Sequence, residues 1–231
     1  MFTVPAAGGA ISDIPIHLLM YHGDPSYSAD GTKIAFDGDS GPGQPSVHGI
    51  FVANVDGSDA RQLTSAPTAN DSYDTESQWS PDGKWVAFTR VGRIHRATIW
   101  VIRSDGTGLR RLTKPSLDAA SPDWSPDGSK ILFNNHYDPR RHQSANVYWM
   151  RPDGSHKTAL THHRGGRGHS FRPVWSPDGK RIVFTRATPI GENDGRVDIY
   201  TMRPDGSHLR RVTDMPDAFT TNADWGPASR P

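Results

Sequence analysis

Short apolar runs recur along the chain, each bounded by polar and turn-forming residues. The first set lies at residues 34–36, 86–88, 131–133 and 182–184, and a second run follows each of these, at residues 50–53, 99–102, 147–150 and 199–202. Runs this short and this rich in β-branched and aromatic residues predict buried strands. No segment keeps the 3.6-residue apolar period of a helix. The pattern therefore predicts an all-β protein.

Tight-turn sequences separate these runs at regular places. The hexapeptide WSPDGK occupies residues 79–84 and 175–180, and WSPDGS lies between them at residues 124–129. Proline presets φ, aspartate can bond the local backbone and glycine tolerates a positive φ, so each copy predicts a turn between a first and a second strand. Asp-Gly pairs after each third strand predict another turn, and the segments RQLT, RRLT, TALT and RRVT then supply a fourth strand.

The unit of four strands repeats along the chain. The aromatic residues of the first strands are Tyr27, Trp79, Trp124, Trp175 and Trp225, with separations of 52, 45, 51 and 50 residues. This period is typical of the four-stranded antiparallel blades of a β-propeller. We predict blades at approximately residues 25–64, 77–113, 122–161 and 173–213. We interpret the aromatic residues as packing between neighbouring blades.

The two ends of the chain complement each other in strand content. Residues 2–19 contain two candidate strands, and ADWGP at residues 223–227 resembles a first strand. Their pairing would remove the open sheet edges that otherwise promote aggregation. The sequence therefore predicts one domain over residues 1–231, a propeller of five blades whose last blade is closed by residues 2–19 plus 223–227. The alternative is that the chain is a piece of a longer propeller.

The repeat unit resembles a known family. The patterns WSPDGK.IAF and IY.M..DGS..R.LT are similar to PD40, the WD40-like repeat of TolB-like β-propellers, and the resemblance covers nearly the whole chain. It implies a propeller and leaves the function open, because these motifs describe the scaffold. The chain as given shows neither the additional α/β domain of TolB nor the hydrolase domain of prolyl-peptidase propellers, so we carry over neither role.

Composition excludes several classes of function. Lys and Arg total 26 against 25 for Asp and Glu, so no net basic field is present to hold a nucleic acid. The absence of cysteine excludes disulfides and thiolate metal sites. The apolar run at residues 14–21 is short and interrupted, which predicts neither a signal peptide nor a membrane span. We expect a monomer, periplasmic or extracellular if a leader was removed upstream of Met1, and otherwise cytoplasmic.

The variable segments lie at the end of the blades opposite the tight turns, where binding residues of repeat scaffolds collect. Two of these loops, which we expect to be neighbours, form a basic sector suited to a carboxylate or phosphate. Its imidazoles are expected to add positive charge below about pH 6.5. An acidic sector contains Asp71, Asp74, Glu76, Asp214 and Asp217. The candidate ligand-binding residues are Arg140, Arg141, Arg164, Arg167, His136, His169 and Glu76.

These residues favour a binding propeller that captures a protein segment or a small anionic ligand at the long-loop face of the central channel. The alternative is a metal-assisted lyase or hydrolase acting on an acidic carbohydrate, because oligogalacturonate lyases are propellers with related repeats that use a histidine cluster and a metal. For that chemistry His162, His163 and His169 are candidate ligands of a divalent metal. A solvated, charged loop without a ligand is the third interpretation.

Overall fold

The protein is described by a computed structural model at residues 2–3, 12–14, 21–39, 48–67, 72–92, 96–138, 143–165, 168–190, 194–214 and 223–225. These residues form eighteen β-strands and one 3₁₀ turn at Pro115–Leu117. Four sheets have four strands each, and consecutive strands are neighbours in every one. The predicted all-β class with four-stranded antiparallel blades is confirmed. In the described part of the chain no helix is long and apolar enough to cross a membrane.

The strands follow chain order within the sheets. Sheet 1 contains β3 (Tyr21–Tyr27), β4 (Lys33–Asp39), β5 (His48–Asn54) and β6 (Arg61–Gln62), and sheet 2 contains β7 (Tyr73–Trp79), β8 (Trp85–Val91), β9 (Ala97–Arg103) and β10 (Arg110–Arg111). Sheet 3 contains β11 (Ala119–Trp124), β12 (Ile131–Asn135), β13 (Val147–Met150) and β14 (Thr158–Ala159). Sheet 4 contains β15 (His169–Trp175), β16 (Ile182–Ile190), β17 (Asp194–Met202) and β18 (Arg210–Arg211), and a separate pair is formed by β1 (Phe2–Thr3) and β2 (Ser12–Asp13).

The described residues divide into two compact units. The first contains those before residue 96 together with residues 100–110, and the second contains residues 96–99 and those from 111 to 225. Sheet 1 belongs to the first unit, and sheets 3 and 4 belong to the second.

A serine fixes the turn between the first two strands of each sheet. In sheet 4 the Ser176 hydroxyl donates to Oδ1 of Asp178 at 2.6 Å and accepts a hydrogen bond from the Arg181 amide at 2.9 Å. Its carbonyl oxygen accepts from the Gly179 amide at 2.8 Å. The serine–aspartate bond recurs at Ser28, Ser80 and Ser125. The serine of the repeated hexapeptide is therefore as structural as its proline and glycine.

The threonine that ends each repeat ties the fourth strand back to the third. Its hydroxyl accepts a hydrogen bond from the amide of an apolar residue in the third strand, at 2.8 to 3.0 Å. The pairs are Thr64 with Ile50, Thr113 with Ile99, Thr161 with Val147, and Thr213 with Ile199. Because the fourth strands are only two residues long, this bond extends their attachment to the sheet.

First-strand tryptophans pack between sheets within each unit. Trp79 of sheet 2 is 7% exposed and clusters with Val52 of sheet 1, and Trp175 of sheet 4 is 7% exposed and clusters with Leu132 of sheet 3. This burial agrees with the interpretation of the repeated aromatics as packing residues. Tyr27 differs, since it is 53% exposed.

The first strand of each sheet begins three or four residues before the predicted blade start and contains a β-bulge. The residue three positions before the aromatic has a left-handed backbone in every case: φ is +37° at Asp24, and +54°, +54° and +53° at Glu76, Ser121 and Arg172. Bulges of this kind re-aim side chains. They also explain why a polar sequence such as YDTESQW does not show the alternation of an ordinary strand.

Most of the predicted closing blade lies outside the described residues. Within them β1 pairs with β2 in antiparallel orientation, and Nε1 of Trp225 donates to the carbonyl oxygen of Val174 at 3.4 Å. Five blades, and closure by residues 2–19 plus 223–227, remain predictions.

Replacement of Gly206 by alanine should destabilise the protein more than replacement of Gly179. Both have positive φ, +83° and +68°, so either alanine meets left-handed strain of about 1–2 kcal/mol. A Cβ at residue 206 would also lie 2.9 Å from the carbonyl oxygen of Leu160, whereas the nearest atom to a Cβ at residue 179 is Cδ of Pro126 at 3.8 Å. Denaturant unfolding measures the difference. Equal losses of unfolding free energy would mean that the backbone near Leu160 moves freely.

Candidate ligand-binding site

Two long loops of the second unit meet beside the start of β15. Tyr137 lies in the loop after β12, and His169 follows the loop after β14. The two rings are 4.3 Å apart between centroids. The amide of Ala145 donates a hydrogen bond to Nδ1 of His169 at 3.3 Å. The loops that the sequence places in neighbouring blades are therefore in contact.

Asp118 anchors the first of these loops. Its carboxylate accepts hydrogen bonds from the Ala97 amide at 2.8 Å and from Arg96 at 3.1 Å, and lies 3.3 Å from Nδ1 of His136. Although burial opposes it, hydrogen bonding to His136 and to Ala97 holds the pKa of Asp118 below its usual range. Arg96 also donates to Asp138 at 3.0 Å. Asp138, an acidic residue of the loop after β12, is thus paired with a neighbouring arginine.

His163 is held in a half-buried position. Its Nε2 lies 2.9 Å from Oγ of Ser170, and its amide donates to Oδ1 of Asn146 at 2.7 Å. Burial lowers the pKa of His163 to about 4, and the positive charge of Arg186 adds to the effect. Burial also lowers the pKa of His169. The expectation that these two rings gain positive charge below about pH 6.5 is therefore corrected, because burial makes protonation costly and lowers the pKa of both.

The exposed cations of this region are arginines. Arg164 and Arg172 are both exposed, and neither has an ion pair among the described residues. The Arg172 amide donates to Oδ1 of Asn134 at 2.9 Å, which fixes the backbone from which its side chain leaves. His162 is exposed beside Arg164. Arg140, Arg141 and Arg167 lie outside the described residues.

No group of three His, Cys, Asp or Glu side chains in the described ranges is arranged to hold a metal ion. The three predicted ligands, His162, His163 and His169, accordingly do not form such a group. One nitrogen of His163 is already bonded to Ser170, and one of His169 accepts from the Ala145 amide. The rings of His163 and His169 are thus held by other protein groups.

Glu76 belongs to the first unit, where it joins two other acids. Its Oε2 accepts a hydrogen bond from Thr89 at 2.8 Å, and Thr75 donates to Oδ2 of Asp24 at 3.2 Å. Burial raises the pKa of Asp37 to about 6, and the carboxylates of Asp24 and Glu76 contribute. The sequence did not indicate this group, because Asp24 and Asp37 lie in different strands and meet through the β3–β4 register.

Asp74, assigned from sequence to an acidic sector, is buried in an ion pair. Its oxygens accept hydrogen bonds from Nε and Nη2 of Arg90 at 2.6 and 2.7 Å and from the Thr64 hydroxyl at 2.7 Å. Its side chain is 0% exposed. Asp74 is therefore a structural residue and not part of a ligand-facing surface. This pairing could not be predicted from the sequence, since it depends on the cross-strand register.

Comparison with known proteins places the chain in a family. The profile of PD40, the TolB beta propeller domain, matches residues 20–164. The chain belongs to this family. An uncharacterized protein of Agrobacterium fabrum is 30% identical over 201 residues, which cover 82% of this chain and 62% of that protein. The Tol-Pal system protein TolB of Anaeromyxobacter dehalogenans is 31% identical over 184 residues, which cover 76% of this chain and 37% of that protein.

Solved structures confirm the predicted propeller. A TolB-type protein from Agrobacterium tumefaciens superposes with a TM-score of 0.74 at 24% identity, covering 91% of this chain and 72% of that one. An oligogalacturonate lyase in complex with manganese superposes with a TM-score of 0.53 at 18% identity, covering 87% of this chain and 52% of that one. Likenesses at these identities show the fold alone. Since the chain spans 62% and 37% of the two relatives above, their activities and partners are not transferred with the fold.

Replacement of Asp37 by asparagine should change how stability depends on pH. The pKa of Asp37 in the folded protein, about 6, exceeds the usual 3.8. The wild-type carboxyl therefore makes its full contribution to stability at pH values below 3.8, and this contribution is lost as the pH rises through 6. Relative to wild type, Asp37→Asn should gain unfolding free energy at pH 8, on the order of 1 kcal/mol after allowance for partial exposure, and lose that advantage at pH 4.

Asp82→Asn is the control in the same unit. The hydrogen bond from the Ser80 hydroxyl lowers the pKa of Asp82, so its carboxylate stabilises the fold at neutral pH and ceases to do so as the pH falls. The two variants should therefore deviate from wild type in opposite directions at pH 8 in denaturant titrations. Parallel curves for all three proteins would contradict the assignment for Asp37.

Proposed function

We propose that this TolB-type propeller is a binding module that captures an acidic ligand, a protein segment or a small anionic molecule, at the loop cluster of its second unit. The loop cluster is defined by Tyr137, His162, Arg164, His169 and Arg172. The proposal rests chiefly on the two exposed arginines, for which no described residue provides a carboxylate. Exposed guanidinium groups that lack a carboxylate partner favour carboxylate and phosphate ligands.

The neighbouring aromatic pair supports a binding role. Tyr137 is 48% exposed and its ring lies against that of His169, which leaves a partly apolar surface in the same loop cluster. Exposed tyrosine supplies large contact area with few rotamers to immobilise. A ligand with an anionic group and an adjacent apolar portion would use both features.

The hydrogen bonds within the site favour binding over metal-assisted chemistry. Nε2 of His163 is bonded to the Ser170 hydroxyl, and the described residues contain no metal-ligand cluster. The metal-assisted lyase acting on an acidic carbohydrate is therefore the weaker proposal. Stoichiometric manganese or zinc in the purified full chain would favour it over simple binding.

Serine at both Arg164 and Arg172 should weaken binding of acidic probes without lowering the melting temperature. The position of Arg172 accepts serine, because Ser121 has the same left-handed backbone at the matching place in sheet 3, φ +54° against +53°. Loss of two charge-assisted contacts should reduce affinity by about tenfold or more. Isothermal titration with hexaglutamate and with trigalacturonate measures the loss and separates peptide from saccharide ligands.

Serine at Lys84 and Lys180 provides the matched control. These lysines are 76% and 81% exposed at the tight-turn end of the sheets and lie near Asp82 and Asp178. The two lysine substitutions remove the same net charge as the two arginine substitutions and leave the loop cluster intact, so binding should be unchanged. If the two double variants weaken binding equally, or if neither probe binds the wild-type protein, the proposed function is wrong.

A further inference from the structure

Sheets 2 and 4 contain the same arginine in the same place. Arg90 and Arg186 each lie two residues after the fully buried phenylalanine of the second strand. Each guanidinium lies over an aromatic ring of the third strand, 4.8 Å from the centroid of Trp100 and 5.2 Å from that of Tyr200. The two side chains therefore occupy equivalent environments on the apolar side.

The residue that faces the arginine across the first two strands differs between sheets 2 and 4. The cross-strand partner of Arg90 is Asp74, whose carboxylate accepts two hydrogen bonds from the guanidinium, at 2.6 and 2.7 Å. In sheet 4 the cross-strand partner of Arg186 is Ser170. The Ser170 hydroxyl lies 2.9 Å from Nε2 of His163. A carboxylate present in one blade is thus replaced in the other by a shorter, neutral side chain.

Arg186 is left without the partner that its counterpart has. Among the described residues its buried Nε has no hydrogen-bond acceptor, and none of their carboxylates forms an ion pair with it. Asp198 is its cross-strand neighbour on the other side. That carboxylate accepts from Nε of Arg196 at 2.5 Å and from Thr213 at 2.9 Å. A buried donor without an acceptor is costly, so this guanidinium favours an incoming anion.

We propose that Arg186 binds a carboxylate group of the ligand, in the place that Asp74 takes beside Arg90. The arrangement in sheet 2 defines the chemistry, because there a planar carboxylate bonds both Nε and Nη2 of the equivalent arginine. The Ser170 hydroxyl is bonded to His163, whose chain neighbours His162 and Arg164 belong to the loop cluster. The inference rests on the proposed function for its setting and names the group that the module recognises.

Acetate titration of the full chain, followed by NMR of the arginine Nε–H groups, tests the site without a known ligand. The Arg186 resonance is assigned by its loss in Arg186→Met, which keeps an apolar side chain over Tyr200. In the wild-type protein it should shift saturably with acetate. In Ser170→Asp a carboxylate is supplied within the chain, as in sheet 2, so the resonance should be shifted already and should not respond. No response in wild type, or an equal response in Ser170→Asp, would overturn the inference.

Hexaglutamate binding separates failure of this inference from failure of the proposed function. Arg186→Met and Ser170→Asp should each weaken it by about tenfold or more. If Arg164→Ser with Arg172→Ser weakens binding while Arg186→Met has no effect, the loop cluster binds acidic ligands and Arg186 is not its carboxylate site. If neither hexaglutamate nor trigalacturonate binds but acetate shifts Arg186 selectively, the carboxylate site stands and the proposed function falls. Should Ser170→Asp fail to fold, the comparison of Arg186→Met with wild type decides the outcome.

Discussion

Packing of one blade against the next is the constraint on which the structure depends. A four-stranded sheet has two faces, and its apolar side chains leave water only when a neighbouring sheet covers them. The phenylalanines of the second strands, Phe36, Phe88, Phe133 and Phe184, are fully buried at the same position in every sheet. Trp79 and Trp175 extend this burial across the junction between sheets of the same unit. The repeated aromatic and apolar residues of the sequence are those that this packing requires.

The scaffold holds different side chains in one geometry. The bulge of each first strand gives a left-handed backbone to Asp24, Glu76, Ser121 or Arg172 according to the blade. Left-handed conformations are costly for residues other than glycine, and their recurrence means that the surrounding sheet imposes them. The side chains that differ between blades therefore lie at fixed positions of a repeated backbone. The same relation holds for the cross-strand pairs, where Asp74 and Ser170 occupy one position with opposite consequences for the facing arginine.

The charges of the candidate site could be counted from sequence, but their effect could not. The neighbouring loops carry the expected basic residues. Arg96 pairs with Asp138, however, and burial lowers the pKa of both His163 and His169. The sequence pattern does not identify Arg186 as a binding residue, because it lies in a strand directly after buried residues and resembles an ordinary strand side chain. Its significance depends on which residue faces it across the sheet, and the bulge in β15 determines that register.

The sequence by itself determined the all-β class, the four-stranded repeat, the places of the tight turns and the buried triplets, because these features follow from local propensity and from residues close together in the chain. Only the tertiary structure decided which polar side chains are neutralised and which remain available. The partners of Arg90 and Arg186 are Asp74 and Ser170, each sixteen residues distant in the chain. Burial, bulge and register bring such residues together, and no local pattern of the sequence encodes the result.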